Sequence, residues 1–296
     1  MKMRNFLIVI LSIFGSVTTF AQTNLLNAKI PEEIGLKSDA QLNADNDKPL
    51  EYGYVDDRDV LMGKTVWEII DLSERINFPL YFPIDTANIG SDRRSLYDVL
   101  TKAIRSGEIS EVYSDSYFNT KKSYKDIQAS LTRIDTTDAG KEQINAGIAI
   151  SPEYIVKQDL TSQDVTQYKI KGYWYFDKRQ SELKYRLLGI CPVTPDVYTM
   201  NSDEKDYIEL FWVFFPASRD LLHEAKSFND KNSAMPISFD QILNSRRFNA
   251  VIYQEENVYG DRTIVSYMKD NAQNQLLEAE RVKDKIRDFE ENMWNY

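Results

Sequence analysis

Residues 168–176 alternate without a break. Tyr168, Ile170, Gly172, Trp174 and Phe176 fall on one side of an extended chain, and Lys169, Lys171, Tyr173 and Tyr175 on the other. A period of two is strand spacing, because successive side chains point to opposite faces. Asp177-Lys178-Arg179-Gln180-Ser181 follows as a turn. Leu183, Tyr185, Leu187 and Gly189 carry the return strand, which Ile190-Cys191-Pro192 closes. A third run, Tyr207 to Phe215, is apolar on both faces toward its end, which predicts a central strand. Together these predict an antiparallel meander. With the helices described next, the fold class is α+β: an antiparallel sheet with packed helices and a long C-terminal helix.

Val66, Ile69, Ile70 and Ser73 recur at helical spacing, with Trp67 and Leu72 widening the apolar side, so a helix is expected from about Lys64 to Ile76. Pro79 should end it at Phe78, leaving Pro79–Pro83 as an extended aromatic segment. Leu96, Val99, Leu100, Ala103 and Ile104 form the stripe of a second helix, capped by Ser91 or Asp92 and stopped by Gly107. Residues 108–147 are polar and read as a surface excursion with a short helix near Tyr124–Arg133. Ser238 starts another helix, and Asn249–Val258 suits a strand or strand-like connector. From Ser266 to Trp294 there is neither Pro nor Gly. Leu276, Ala279, Val282, Ile286, Phe289 and Met293 make a near-heptad seam there. That seam packs on its own domain or meets another chain.

The first residues read as an export signal. Lys2 and Arg4 precede the apolar run Phe6–Phe14, and Thr19-Phe20-Ala21 offers a cleavage site between Ala21 and Gln22. The run is shorter than the roughly 20 residues that span a bilayer. No cysteine lies near Ala21 to carry a lipid. The expected organisation is a leader over 1–21, a flexible arm over 22–62, a core over 63–262 and a C-terminal helix over 263–296.

Residue types restrict the chemistry. Cys191 and His223 are the only cysteine and histidine, so neither a disulfide nor a Cys/His zinc cluster can be built within one chain. Cys191 is expected to act as a small buried apolar residue, and His223 to sit half-buried on a helix. Acids outnumber bases 46 to 36, which disfavours broad nucleic-acid binding. No phosphate loop, nucleophile elbow or metal motif appears, and no cofactor is implied. Asp56, Asp57 and Asp59 read as a solvated loop, and Asp177 as a solvated turn aspartate.

Two blocks carry a family resemblance. One is Lys64-Thr65-Val66-Trp67-Glu68-Ile69-Ile70-Asp71-Leu72-Ser73-Glu74-Arg75-Ile76-Asn77-Phe78-Pro79. The other is Gly172-Tyr173-Trp174-Tyr175-Phe176-Asp177-Lys178 with Tyr185-Arg186-Leu187-Leu188-Gly189-Ile190-Cys191-Pro192. Both resemble the GldN/PorN family of gliding-motility proteins of Bacteroidetes, from about Asp56 to about Phe248. The resemblance implies a periplasmic, non-catalytic component of the type IX secretion system. It would form a ring at the outer membrane with a GldK/PorK-type lipoprotein and couple to a GldM/PorM-type motor component. Membrane contact would come only through its partner. No family catalytic residue carries over. Tyr81, Phe82, Ile286 and Phe289 are the candidate partner contacts. A peptidoglycan- or carbohydrate-binding protein using exposed aromatics near Trp174 or Tyr81 is the alternative, and a carboxylate-dependent hydrolase a further one.

Overall fold

A computed structural model describes residues 30, 47–85, 93–136, 138–147, 152–196, 206–229, 232, 236–269 and 271–294. The signal-cleavage pair Ala21 and Gln22, most of the 22–62 arm, and the cap candidates Ser91 and Asp92 lie outside these residues. Residues 48–84 and 93–296 form one unit; of the other, 1–47 and 85–92, only Ile30, Asp47 and Asp85 are described.

The elements run β1 (Val60–Asp71), α1 (Phe78–Tyr81), α2 (Leu96–Ser106), β2 (Val112–Tyr113), β3 (Lys121–Lys122), α3 (Tyr124–Leu131), β4 (Thr132–Thr136), α4 (Asp138–Asn145), β5 (Ile155–Asp159), β6 (Gln167–Asp177) and β7 (Glu182–Pro195). They continue with β8 (Tyr207–Glu209), β9 (Trp212–Phe214), α5 (Arg219–Glu224), β10 (Lys226–Ser227), β11 (Ile237–Ser238), α6 (Phe239–Asn244), β12 (Val251–Glu255), α7 (Ile264–Tyr267) and α8 (Ala272–Trp294). The main sheet has the order β12-β1-β6-β7-β9-β2-β3, with β8 also on β7. Its pairs are antiparallel. The meander is thus β6-β7-β9, with the Asp177–Ser181 turn joining β6 to β7.

The expected first helix is a strand. In β1, Val66, Trp67, Glu68 and Ile70 are all buried, because β6 and β12 flank it and both faces are covered. A doubly buried strand loses its alternation, and its apolar residues then mimic helical spacing. The β-branched Thr65, Val66, Ile69 and Ile70 decide for the strand. Pro79 does not end a helix but begins one, in the first turn of α1, where its missing N–H costs nothing. α2 is capped by Ser95, whose Oγ accepts from the Asp98 amide at 3.3 Å, and it ends at Gly107 with φ +86°. The run Tyr207–Phe215 splits into β8 and β9. The polar excursion contributes β2 and β3 to the sheet, besides the expected short helix α3.

Core formation explains the layering. Leu96, Leu100, Ile104, Leu222, Ile242 and Leu243 from α2, α5 and α6 pack on one sheet face against Ile70, Tyr168, Ile170, Leu187, Ile190 and Val213. A second cluster sets Ala279, Val282 and Ile286 of α8 against Val66, Ile252 and Ile264. Each such side chain stabilises the fold by roughly 1.5–3 kcal/mol when fully buried. Asn77 is buried but bonded: its Nδ2 donates to the carbonyls of Asp71 (2.7 Å) and Asn249 (3.1 Å), and its Oδ1 accepts from the Asn249 amide (2.9 Å). It fastens the end of β1 to the approach of β12.

The core reaches further toward the N-terminus than residue 63. The Tyr52 ring centroid is 4.4 Å from the guanidinium carbon of Arg186 and 4.1 Å from that of Arg219, and its hydroxyl donates to Asn244 Oδ1 at 2.8 Å. Arg219 is itself held in a bidentate pair by Asp240. At the other end the expected single helix over 266–294 is α7, a short break, and α8. Asn271 Oδ1 accepts from the Asn274 amide at 3.1 Å, which starts a new helix there.

Candidate interaction surface

The second face of the sheet is built differently. Its buried cluster is Trp67, Cys191 and Trp212, with Tyr113, Phe118 and Tyr253 packed on it, and no helix residue takes part. Strand register dictates this set. Trp67 pairs with Lys171 and Lys171 with Gly189, while Ile69 pairs with Lys169 and Lys169 with Cys191, so two rows of side chains stand on this face.

The loop between β2 and β3 lies on these rows. Asp115 shapes it: Oδ1 accepts the amides of Tyr117 (2.9 Å) and Asn119 (3.2 Å), and Oδ2 that of Thr120 (3.2 Å). Phe118 adopts φ +61°, an uncommon conformation for a bulky residue. Its ring meets Tyr113 and Phe214 edge-on, each at 5.3 Å. It also lies over Gly189, where a Cβ would come within 2.6 Å of Phe118 Cζ and 3.3 Å of Trp212 Cε3. Glycine there is a packing requirement.

Lys171 sits among aromatic rings. Its Nζ is 5.0 Å from the centroid of Trp67, 4.8 Å from Tyr117 and 5.5 Å from Phe118, and donates to the Ser116 carbonyl at 3.0 Å. Desolvation holds its pKa below the usual lysine range, against the opposing charges of Asp261, Glu256 and Asp115. A partly dry ammonium over several ring faces gains cation–π attraction. Beside it, Glu209 accepts from Lys169 Nζ at 2.7 Å and from Trp212 Nε1 at 2.7 Å, and Lys169 also lies 5.1 Å from the Tyr253 ring. Burial raises the Tyr253 hydroxyl pKa and pushes the Cys191 thiol well above its ordinary value. The thiol is therefore the inert, buried kind the sequence predicts. Tyr117, Phe214 and Tyr207 emerge at the rim with a third or more of their surface exposed. Aromatic rings and fixed cations around a dry centre suit protein contact.

Asp115 gives this surface an acid limit. Desolvation works to raise its pKa, but the amide bonds from Asn119, Thr120, Tyr117 and Phe118 outweigh it and hold it below the usual carboxylate value. A group depressed in the folded state contributes stability above its unfolded pKa, about 3.9, that is lost as pH falls through the folded value. The amide NMR signals of Tyr117, Asn119 and Thr120, which Asp115 holds, should therefore shift on acidification below about pH 4. An Asp115→Asn protein should lack that transition; an unchanged acid limb in this variant would assign the change elsewhere.

The sequence-derived contacts lie apart from this face, in two pairs: Tyr81 with Phe82, and Ile286 with Phe289 on α8. The Tyr81 ring packs on the main core and its hydroxyl donates to the Gln163 carbonyl at 3.2 Å. Phe82 is 41% exposed and meets Phe78 and Tyr81 edge-on. Ile286 is buried in the α8 cluster, and Phe289 meets Phe176 edge-on at 5.9 Å. The seam of α8 therefore packs within its own chain at Ala279, Val282 and Ile286. Asp177 is not a solvated turn residue: it is 1% exposed, accepts from the Arg179 amide at 2.9 Å, and lies 3.4 Å from Lys184 Nζ. Asp56 caps the short turn Asp57–Asp59, and Asp59 pairs with Arg179 at 2.9 Å. His223 lies on α5, half-buried. Among the described residues no helix is long and apolar enough to cross a membrane, and no acidic, His or Cys group could hold a metal ion.

Sequence reasoning missed Tyr117, Phe118, Lys171 and Glu209 as a unit. The one local signal was an aromatic pair, Tyr117-Phe118, inside a polar stretch. A search of curated proteins found no match. A family model described as gliding motility associated protein GldN matches residues 55–295. The match begins beside Asp56, where the resemblance was placed, runs beyond Phe248 through β12 and α8, and covers most of the chain. The chain belongs to the GldN family of gliding-motility-associated proteins.

Proposed function

We propose that this protein is a non-catalytic structural subunit of the type IX secretion and gliding machinery. It would act in the periplasm after removal of the leader at Ala21–Gln22. It would form a ring with a GldK/PorK-type lipoprotein at the outer membrane and couple to a GldM/PorM-type motor component. The observation that carries the reading is the family match over residues 55–295.

The physical picture is assembly by burial. One sheet face is closed by helices; the other presents aromatic rings, two ordered lysines and a doubly bonded glutamate. Burying such a face stabilises a complex through apolar contact, while fixed charges set register. Two buried carboxylates are occupied in holding the fold: both oxygens of Glu68 accept from Arg246, at 2.8 and 2.9 Å, and Asp177 is enclosed in its turn.

The test is a deletion strain carrying the gene on a plasmid. Deletion should abolish secretion of type IX cargo, and the tagged protein should co-purify from outer-membrane fractions with a lipoprotein identified by mass. Normal secretion in the deletion strain would refute the proposal.

A further inference from the structure

Residues 51–55 run beside β6 and β7 and enclose with them a cleft of about 290 Å³. Tyr52, Tyr54, Tyr175, Gln180, Lys184 and Arg186 line it. Strand register sets Tyr175 opposite Lys184 and Tyr173 opposite Arg186, so Tyr175, Lys184 and Arg186 stand on one face. The facing wall is fixed as well. Tyr52 is held by its hydrogen bond to Asn244 and by Arg219, and Arg179 Nη2 donates to the Tyr54 carbonyl at 2.7 Å. A cleft with both walls fastened is ready for a ligand without rearrangement, which lowers the cost of binding.

Arg186 is the unusual member of this lining. The other half-buried or buried cations of this region hold carboxylates: Arg219 holds Asp240 at 2.8 Å, Arg246 holds Glu68 at 2.8 Å, and Lys184 lies 3.4 Å from Asp177. Among the described residues no carboxylate pairs with Arg186, in a chain where acids outnumber bases 46 to 36. Its Nη2 reaches the Gly53 carbonyl at 3.4 Å and the Tyr175 hydroxyl at 3.5 Å, both long for a hydrogen bond. Its remaining contacts are ring faces, Tyr52 at 4.4 Å and Tyr175 at 5.7 Å. A half-buried guanidinium without a counter-charge is a receptor for an anion.

We propose that this cleft binds a sugar acid, a saccharide ring that carries one carboxylate, with the carboxylate on Arg186. The planar guanidinium matches a carboxylate with two parallel hydrogen bonds, and one unpaired cation balances one negative charge. Lys184 is already engaged by Asp177 and Gln180, so a phosphate dianion would exceed the free positive charge. An apolar occupant would strip water from Arg186, Lys184 and Gln180 and return no hydrogen bonds. A saccharide meets both needs: its C–H face lies against a phenol ring, and its hydroxyls bond the Gln180 amide and the Tyr54 phenol. The volume is at the small end of ligand pockets and suits one sugar ring. The exposed Glu51 also lines the cleft and repels an anion from its own side, which directs the carboxylate to Arg186. The inference does not depend on the assembly role, and its readout is binding alone.

The test titrates sodium glucuronate and N-acetylmuramic acid into the full chain at constant ionic strength, with calorimetry and amide NMR as readouts. At least one should bind at millimolar concentration or below and shift the signals of Tyr54, Lys184 and Arg186; the tighter of the two names the source of the carboxylate. Glucose, which lacks the carboxylate, and acetate, which lacks the ring, should each bind at least about 10-fold more weakly, the loss expected for one charge-assisted contact. Arg186→Gln should weaken binding by about 10-fold or more at an unchanged melting temperature. Arg186→Lys keeps the charge without the fork and should recover only part of it, and Glu51→Gln should bind no more weakly than wild type. These two variants decide the matter if Arg186→Gln fails to fold. No binding of either sugar acid, equal binding of glucose or acetate, shifts confined to residues away from the cleft, full affinity in Arg186→Gln, or a preference for the peptide carboxylate of N-acetyl-glycyl-tyrosine would overturn the inference.

Discussion

Arg246→Ala should destabilise the fold by about 3–5 kcal/mol, the usual cost of removing one partner from a buried ion pair. Glu68 is 1% exposed at its side chain and receives both guanidinium nitrogens of Arg246. Without them the carboxylate would keep, among the described residues, the Tyr185 hydroxyl at 3.4 Å as its hydrogen-bond donor. Arg246 also stacks on Tyr185 at 4.2 Å, and it holds φ +50°, a conformation that side chains other than glycine, Asn and Asp seldom adopt. Urea denaturation of the single variant reads the cost. Replacing both partners, Glu68→Leu with Arg246→Met, should recover most of it, because no buried charge is then left alone. A loss below about 1 kcal/mol in Arg246→Ala would place the pair among exposed, weakly contributing bridges.

Ile286→Asp should release α8 from the sheet. The side chain is 7% exposed and packs in the cluster with Val66 and Ile252. Removing a buried isoleucine alone costs about 2–5 kcal/mol, and burying a carboxylate in its place adds to that. Amide exchange over residues 272–294 should lose its protection. Phe289→Asp removes a ring that is only half-buried, held edge-on by Phe176, and should cost about 1–2 kcal/mol while leaving α8 docked. The pair separates two roles. Loss of complex formation in Ile286→Asp reports undocking, whereas loss in Phe289→Asp at intact exchange protection reports a partner contact. Full protection of α8 in Ile286→Asp would contradict the packing of Ile286 against Val66 and Ile252.

Legibility in the sequence followed how much each segment depends on distant residues. β6, its turn and β7 were readable because one long hairpin keeps its alternation and its turn chemistry local. α2 was readable from its stripe and from Gly107, although its cap proved to be Ser95. The β1 segment misled because its register is set by β6 and β12, and burial on both faces removes the period of two. Local spacing then matched a helix by coincidence. The short strands β2 and β3 had no signal of their own; two residues each become strands only because β9 offers an edge. The interaction surface was less legible still. Lys171 lies within a strand, Tyr117 and Phe118 in a polar loop, and Glu209 on a short edge strand, and only the sheet brings them together. The buried Glu68–Arg246 pair joins residues 178 positions apart, beyond any local pattern.

The pairing of β1 with β12 also orders events in time. A polypeptide made or threaded from its N-terminus releases residues 60–71 early, yet one neighbour of that strand arrives at 167–177 and the other only at 251–255. Until then its hydrogen-bonding edge and its Val66 and Trp67 side chains stay open to unwanted pairing, the hazard of long-range sheets. A holdase that covers the early strand would speed productive maturation, and a chain cut before residue 251 would keep that edge permanently bare.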